Sequence, residues 1–145
     1  MDYRLSPEVT IYGTIARGYR PAGVNNLTDN EASLCFIAER SWNFEVFANT
    51  FRFDDRLGVN LSFFHNPVDN FQVATFDPFT LLATGVTNAD VSITGLEFDV
   101  RATPVEGLDF IAGLGLIDAE FTNFPNQNFD GNSLPFAPDL TYNVA

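Results

Sequence analysis

The sequence has no lysine at all. Its 145 residues include seven basic side chains, all arginine, against 19 acidic ones, so the net charge is −12. Proteins that bind nucleic acids neutralise phosphates with clustered basic residues. This excess of acid therefore argues against a nucleic-acid partner.

Cysteine and histidine are nearly absent, with one residue of each, Cys35 and His65. A single cysteine excludes an internal disulfide and a cysteine metal cage. A lone histidine forms neither a histidine metal cluster nor, without a reactive Ser or Cys partner in view, a catalytic triad. Gly113-Leu114-Gly115 follows no strand-then-helix pattern, which rules against a dinucleotide site. We predict no enzymatic activity, no metal site and no cofactor.

Long apolar runs are also missing. No stretch approaches the ~18 residues of a transmembrane helix, and the residues after Met1 do not resemble a signal peptide. Charged residues make up only 18% of the chain, fewer than the roughly 25% of an average soluble domain. Phenylalanine is abundant instead, with 16 residues. The chain is thus acidic and rich in aromatic side chains, and it has no helical membrane anchor.

The dominant period along the chain is two, which indicates β-strands with unlike faces. Between Trp42 and Phe53, and again after Asp54-Asp55, apolar residues alternate with polar ones. We predict an all-β fold, an antiparallel meander of about six long strands. The predicted strands cover residues 9–19, 42–53, 57–64, 92–102, 108–117 and 140–145.

The predicted connections alternate in length. They are short at 54–57 and 103–108, but long at 20–41, 77–87 and 122–138. Short turns at one end and long loops at the other are typical of an outer-membrane β-barrel. A half-exposed soluble sandwich would show similar alternation, so periodicity alone leaves both architectures open.

The position of charge favours the membrane architecture. A lipid-facing surface must avoid charge, whereas a lumen-facing surface need not. Arg52, two residues from a turn, is an exception on the apolar face, and there it can reach the interface. The charged residues predicted to face the lumen are Glu45, Glu97, Asp99, Arg101 and Asp109. Glycines 95, 113 and 115 lie on the same face, where we expect them to leave space for the contents of the lumen.

Six segments, in order, resemble one family, the TonB-dependent outer-membrane receptors. The stretch 12–25 is similar to a strand that ends in "GYRPGGFN", and 39–45 to "E…NYELG". Residues 56–64 resemble "RLxLNxxxF", and 68–73 resemble "YxDxQV". Residues 88–99 resemble "NAGxAxSxGxELE", and 135–141 resemble "PxAPxxT". Together these pieces span nearly the whole chain.

The resemblance implies a segment of a transmembrane up-and-down barrel of about 22 strands, in the outer membrane of a Gram-negative bacterium. It implies energised uptake of a ferric siderophore or a similar scarce nutrient. The implied partners are outer-membrane lipid, a plug domain and the TonB protein. We expect residues 1–145 to be part of the barrel alone, without plug, signal peptide or barrel C-terminus. Six strands with two open edges are then not expected to fold stably in isolation.

Two other functions stay open from the sequence. One is a soluble all-β ligand-binding module, for example for sugars, whose Phe residues fill a sandwich core. The other is a passive outer-membrane porin.

External loops are where binding function concentrates. The loop residues predicted to capture substrate are Arg20, Asn25, Asn26 and Phe79. Asp54-Asp55 is interpreted as a turn rather than a catalytic pair. The loop 126–131 has the oxygen donors of half a calcium loop but lacks the bidentate Glu.

Overall fold

The computed structural model describes residues 2–26, 33–54, 56–125 and 128–145. These residues form an antiparallel all-β structure, which confirms the predicted fold class. No helix among them is long and apolar enough to span a membrane. The strands are β1 (Asp2–Ser6), β2 (Val9–Arg20), β3 (Gly23–Val24), β4 (Cys35–Phe36), β5 (Glu39–Arg52), β6 (Leu57–Phe76), β7 (Ala83–Val105), β8 (Leu108–Asn123) and β9 (Leu140–Val144).

Seven strands form one open sheet in the order β1-β2-β5-β6-β7-β8-β9, with antiparallel neighbours throughout. The order is that of the chain, apart from the small β3–β4 hairpin, which lies in the connection between β2 and β5. This is an up-and-down meander, and each strand pairs with its sequence neighbours.

The two ends of the sheet differ as predicted. At the short-turn end, short connections reverse the chain between β1 and β2, between β5 and β6, and between β7 and β8. At the opposite end, which we call the loop end, residues 21–38 and 124–139 form long connections. Residues 77–82 make only a six-residue turn there, because β6 and β7 continue well beyond their predicted limits.

The β6–β7 hairpin is the longest part of the fold, with strands of 20 and 23 residues. The strands stay paired past an irregularity between Val68 and Phe71, where β6 carries one extra residue and Asn70 adopts a positive φ of 57°. An extra residue on one strand of a pair is a β-bulge, which bends and twists the ladder. Beyond the bulge, the two strands form an arm that extends past the rest of the sheet.

Buried apolar residues gather at the loop end. The connection after β8 folds back along that strand: the Leu134 amide donates to the Ala119 carbonyl (2.8 Å), and the Phe121 amide donates to the Asn132 carbonyl (3.0 Å). Phe121 and Phe124 meet edge to face at 5.2 Å. We call this set the loop-end cluster; its members are Val68, Ala89, Val91, Ala119, Phe121, Phe124 and Leu134.

Candidate functional site

One face of the sheet is almost entirely apolar over its short-turn half, and we call it the apolar face. Register places the apolar positions of β5, β6, β7 and β8 beside one another on this face. A contiguous apolar surface of this kind marks an interaction with a partner or a membrane. Eleven of its residues are 36–56% exposed: Trp42, Phe44, Val46, Leu61, Phe63, Leu96, Phe98, Leu108, Phe110, Leu114 and Leu116.

This apolar band spans the short-turn half of four neighbouring strands. Toward the loop end, it stops at Trp42 on β5; on β6, β7 and β8 it stops at residues that are level in register with Val46, namely Phe63, Leu96 and Leu116. The edge therefore steps by four residues, about 13 Å, between β5 and β6 and is level across the other three strands. At the short-turn end, Arg52 ends the band on β5 at a level where β8 stays apolar as far as Leu108.

The opposite face carries the acidic side chains predicted to line the lumen, and the register confirms that they share it. Glu45 accepts a hydrogen bond from the Ser62 hydroxyl (3.0 Å), and Asp109 accepts one from the Thr103 hydroxyl (2.6 Å). Arg101 lies beside Gly58 and Ile111 on the neighbouring strands. These groups are hydrogen-bonded or open to solvent, as on a wet wall.

Glu97 and Asp99 border a groove of about 280 Å³ on this polar face. Its floor is formed by Gly113 and Gly115, and Asn143 closes its far side. Neither glycine leaves the space above it open: a methyl group on Gly113 would overlap the Asn143 side chain, and one on Gly115 would meet the Thr141 hydroxyl at 2.6 Å.

Gly95 does not leave open space on the polar face either. A methyl group at this position would overlap the ring of Phe64, which lies across the backbone from the next strand. The expectation of open space at Gly95 was wrong, because an aromatic neighbour fills the gap.

The polarity of the two faces reverses toward the loop end. Along β8, the polar face carries Asp109 near the short turn but Ala119 and Phe121 of the loop-end cluster farther along. On the apolar face, Leu116 is the last apolar residue of β8, and the next residues on that side are Asp118 and Glu120. In their short-turn half, these strands are thus suited to contact lipid with the apolar face. In their loop-end half, they are suited to pack a protein core on the opposite face.

The loop candidates lie at one end of the sheet, but their surroundings differ. Arg20 ends β2 and lies 4.0 Å from the carboxylate of Glu39. Asn26 is exposed. Asn25 is only 6% exposed, and its side chain donates to the carbonyls of Ser33 (2.7 Å) and Val86 (2.8 Å).

Asn25 also accepts a hydrogen bond from the Val86 amide (2.8 Å), so both ends of its side-chain amide are occupied. A side chain at Gly85 would overlap it. This geometry gives Asn25 a structural role, holding the 21–38 connection against β7. Capture of a ligand by Asn25 stays a prediction that its contacts do not favour.

Two amide side chains that the sequence analysis missed complete this attachment. Gln72 donates to the Pro21 carbonyl (2.8 Å), and Asn88 donates to the carbonyls of Ile37 (3.1 Å) and Asn70 (2.7 Å). The Ile37 amide donates back to Asn88 (2.8 Å). No sequence pattern identifies them, since their partners are 18 to 51 residues away.

Phe79 lies at the tip of the arm and is 93% exposed. The turn beneath it is capped by Asp77, whose carboxylate accepts the backbone amides of Thr80 (2.7 Å) and Phe79 (2.9 Å). These hydrogen bonds lower the pKa of Asp77 below its ordinary value. The tip is therefore a capped turn that presents apolar side chains to solvent.

The remaining chemical candidates have structural surroundings. His65 shares a 2.9 Å hydrogen bond with Thr94, and Cys35 is exposed with a free thiol. Asp54 lies in the turn with a positive φ, while Asp55 is outside the described residues. Asp130 accepts the Phe124 amide (2.7 Å).

Residues 126 and 127 of the calcium-like loop also fall outside the described part of the chain. Within that part, no group of three or more His, Cys, Asp or Glu side chains is placed to hold a metal ion.

An open meander with an exposed apolar face, an opposite polar face and long loops sorted to one end defines a segment of an up-and-down barrel wall. The sequence matches the family model "TonB dependent receptor-like, beta-barrel" over residues 1–145. The chain belongs to this family.

Curated relatives and solved structures agree with this assignment. The chain is 28% identical to the pesticin receptor of Yersinia enterocolitica (serotype O:8 / biotype 1B) over 137 residues, which are 94% of this chain and 20% of that protein. The ferric yersiniabactin uptake receptor FyuA from Yersinia pestis superposes with a TM-score of 0.77 and 23% identity, covering 97% of this chain and 21% of that one. The siderophore receptor PiuA from Acinetobacter baumannii gives 0.71 and 19%, covering 99% and 22%. The chain thus spans about a fifth of the length of its relatives.

Proposed function

We propose that this chain is a stretch of barrel wall in an outer-membrane receptor that takes up a ferric siderophore, or a similarly scarce nutrient, with energy delivered by TonB. In this proposal the apolar face contacts lipid and the polar face lines the lumen. The arm and the 21–38 and 124–139 connections lie outside the cell.

The observation that carries the membrane part of the proposal is the exposed apolar face. A soluble sandwich buries one face of its sheet against a second sheet. Here eleven apolar side chains of β5 to β8 remain 36–56% exposed, and no described residue buries them. The reversal of polarity beyond the apolar band corresponds to strands that leave lipid and enter water.

The nutrient class is supported by the relatives. Similar proteins are described as a ferric yersiniabactin uptake receptor and a siderophore receptor. The acidic wall formed by Glu45, Glu97, Asp99 and Asp109 is suited to a hydrated lumen or a plug surface. Among the loop candidates, Arg20, Asn26 and Phe79 are exposed, and we propose that they contribute to ligand capture.

Uptake by the full-length gene product tests this function. The protein is expressed in a bacterial strain that lacks its own siderophore receptors, and growth under iron limitation is scored with ferric siderophores of several chemical classes. We expect growth with one class, and none in a matched strain without TonB. Uptake that persists without TonB would indicate a passive porin, and recovery of the protein in the soluble fraction would indicate a soluble module.

Ligand capture is tested separately, with an Arg20→Ala/Phe79→Ala variant. We expect weaker binding of the transported siderophore to whole cells, at an unchanged amount of receptor in the outer membrane. Arg52→Ala, at the opposite end of the sheet, is the matched control. Equal binding by all three proteins would remove Arg20 and Phe79 from the site.

A further inference from the structure

Four side chains form a checkerboard at the loop-end edge of the apolar band, where Trp42 is the last residue of the band on β5. In the β2–β5 ladder, Arg17 lies opposite Trp42 and Tyr19 lies opposite Arg40. The two arginines occupy one diagonal and the two aromatic residues occupy the other. Diagonal neighbours in an antiparallel pair are about 7–8 Å apart, close enough for two long side chains to hold one anion.

The guanidinium groups of this checkerboard are available. Arg17 lies over the ring of Trp42 at 5.4 Å. Among the described residues, the two ion pairs are Arg20–Glu39 and Arg52–Glu8, so neither Arg17 nor Arg40 is paired with a carboxylate. Arg17 and Arg40 are both exposed, even though Asp69 lies opposite Arg40 in the register.

The setting of these arginines identifies their ligand as an anion at the membrane surface. Tyr and Trp concentrate where strands pass from lipid to water, at the level of the lipid headgroups. Arginine presents a planar fork that matches phosphate. In a chain with a net charge of −12, two unpaired cations at this level form a local site for a phosphate group.

An apolar groove of about 390 Å³ lies directly below the checkerboard on the same face. It exists because residue 13 is glycine, between Ile15, Phe44, Val46 and Phe63. A methyl group on Gly13 would meet only the Glu45 carbonyl oxygen, at 3.6 Å, which is ordinary contact. The small size of this residue leaves the groove open on the apolar face.

We propose that the checkerboard and the groove together bind one phosphorylated lipid of the outer leaflet. Arg17 and Arg40 hold its phosphate, Trp42 and Tyr19 flank the headgroup, and an acyl chain lies in the groove over Gly13. The inference rests on the proposed membrane orientation, because it requires the apolar face to contact lipid.

The test uses detergent-solubilised full-length protein, titrated with lipid A and followed by native mass spectrometry. We expect the affinity of an Arg17→Ala/Arg40→Ala variant for lipid A to fall about 30-fold, since each basic residue at an anionic surface contributes on the scale of a few-fold to tenfold. Gly13→Leu fills the groove and should weaken binding while leaving the arginines in place.

Matched controls remove the same charge or add the same bulk elsewhere. Arg52→Ala/Arg56→Ala deletes two arginines at the short-turn end, and Ala112→Leu adds an apolar side chain on β8; both should bind lipid A as the unmodified protein does. If the double alanine variant does not fold, Arg17→Lys/Arg40→Lys keeps the charge without the fork and should bind at intermediate strength.

Three results would overturn the proposal. The first is equal affinity for lipid A and for phosphatidylcholine. The second is unchanged lipid A binding in the Arg17/Arg40 variants. The third is full competition by millimolar inorganic phosphate with no effect of Gly13→Leu, which would define a free-anion site instead. A protein that inserts into membranes and transports its nutrient but gives one of these results refutes the lipid site alone. Failure to insert refutes the proposed function.

Discussion

The short-turn half and the loop-end half of this sheet differ in whether their apolar side chains are covered by protein. In the short-turn half, Leu61 and Phe98 remain exposed on the apolar face, because no residue that the structure describes covers them. In the loop-end half, Val91 is 2% exposed on the other face, covered by Phe124 and Leu134 from a returning loop. The same strands pass through both halves.

In the proposed orientation, the surrounding solvent decides which face is apolar. In a bilayer the outer face can be apolar without a partner, while in water an extended hairpin must build its own core. The arm does so with the loop-end cluster on one face, and Gln72 and Asn88 attach the 21–38 connection to it. The arm is thus packed against connections that the sequence describes only as long and polar.

The largest effect that separates the halves is expected from truncating matched aromatic residues. Phe121→Ala empties part of the loop-end cluster and should cost about 3–5 kcal/mol, since both transfer energy and a cavity are involved. Phe98→Ala removes a ring that faces lipid, which refills the space, so only the transfer energy of about 1.5–3 kcal/mol is lost. Chemical unfolding of the full-length protein in lipid vesicles measures both. Equal losses would contradict the assignment of the two environments.

The next largest effect on stability is expected from a charged residue placed in the apolar band. Leu61→Arg and Leu96→Arg should each reduce the stability of the inserted protein by about 2–4 kcal/mol at mid-bilayer. Asn60→Arg is the matched control, because residue 60 is next to Leu61 on the strand but faces the polar side. The folded fraction after insertion into vesicles is the measurement. Normal insertion of both leucine variants would show that the faces are assigned the wrong way round.

The difference between the short-turn half and the loop-end half also explains how much of the fold the sequence predicts. The alternation of apolar and polar residues identified the short-turn parts of β5 to β8, because the difference in polarity between the two faces is largest there. It stopped short at Phe64 and began late at Ser92, because the polarity reverses there and the bulge at Asn70 shifts the phase of β6. β1, only five residues long, gave too few periods to be recognised.

The site was predicted less completely than the fold. The shared face of Glu45, Glu97 and Asp99 follows from alternation within each strand and register between strands. The roles of Asn25, Gln72 and Asn88 depend on contacts between distant segments, which no local pattern contains.

A smaller effect is expected where the arm meets the 21–38 connection. Asn25→Ala removes hydrogen bonds to Ser33 and to both backbone groups of Val86, and should cost about 1–3 kcal/mol of local stability. Asn26→Ala, its exposed neighbour, should be neutral. Hydrogen exchange at the Val86 amide reports the change directly. Equal protection in both variants would mean that the arm stays in place without the Asn25 contacts.

The smallest effect concerns the turn at the tip of the arm and depends on pH. The pKa of Asp77 is lowered in the folded protein because its carboxylate accepts the Thr80 and Phe79 amides. Its contribution is therefore complete above the unfolded-state pKa of an aspartate, about 4, and is lost as the pH falls through the lower folded value. Asp77→Asn keeps an acceptor but removes the charge, so its turn should be less protected at neutral pH and insensitive to acid. Hydrogen exchange at the Phe79 and Thr80 amides between pH 7 and pH 3, corrected for the intrinsic rate, follows the turn. If the unmodified protein and Asp77→Asn lose protection in parallel on acidification, the carboxylate is not what holds the tip of the arm.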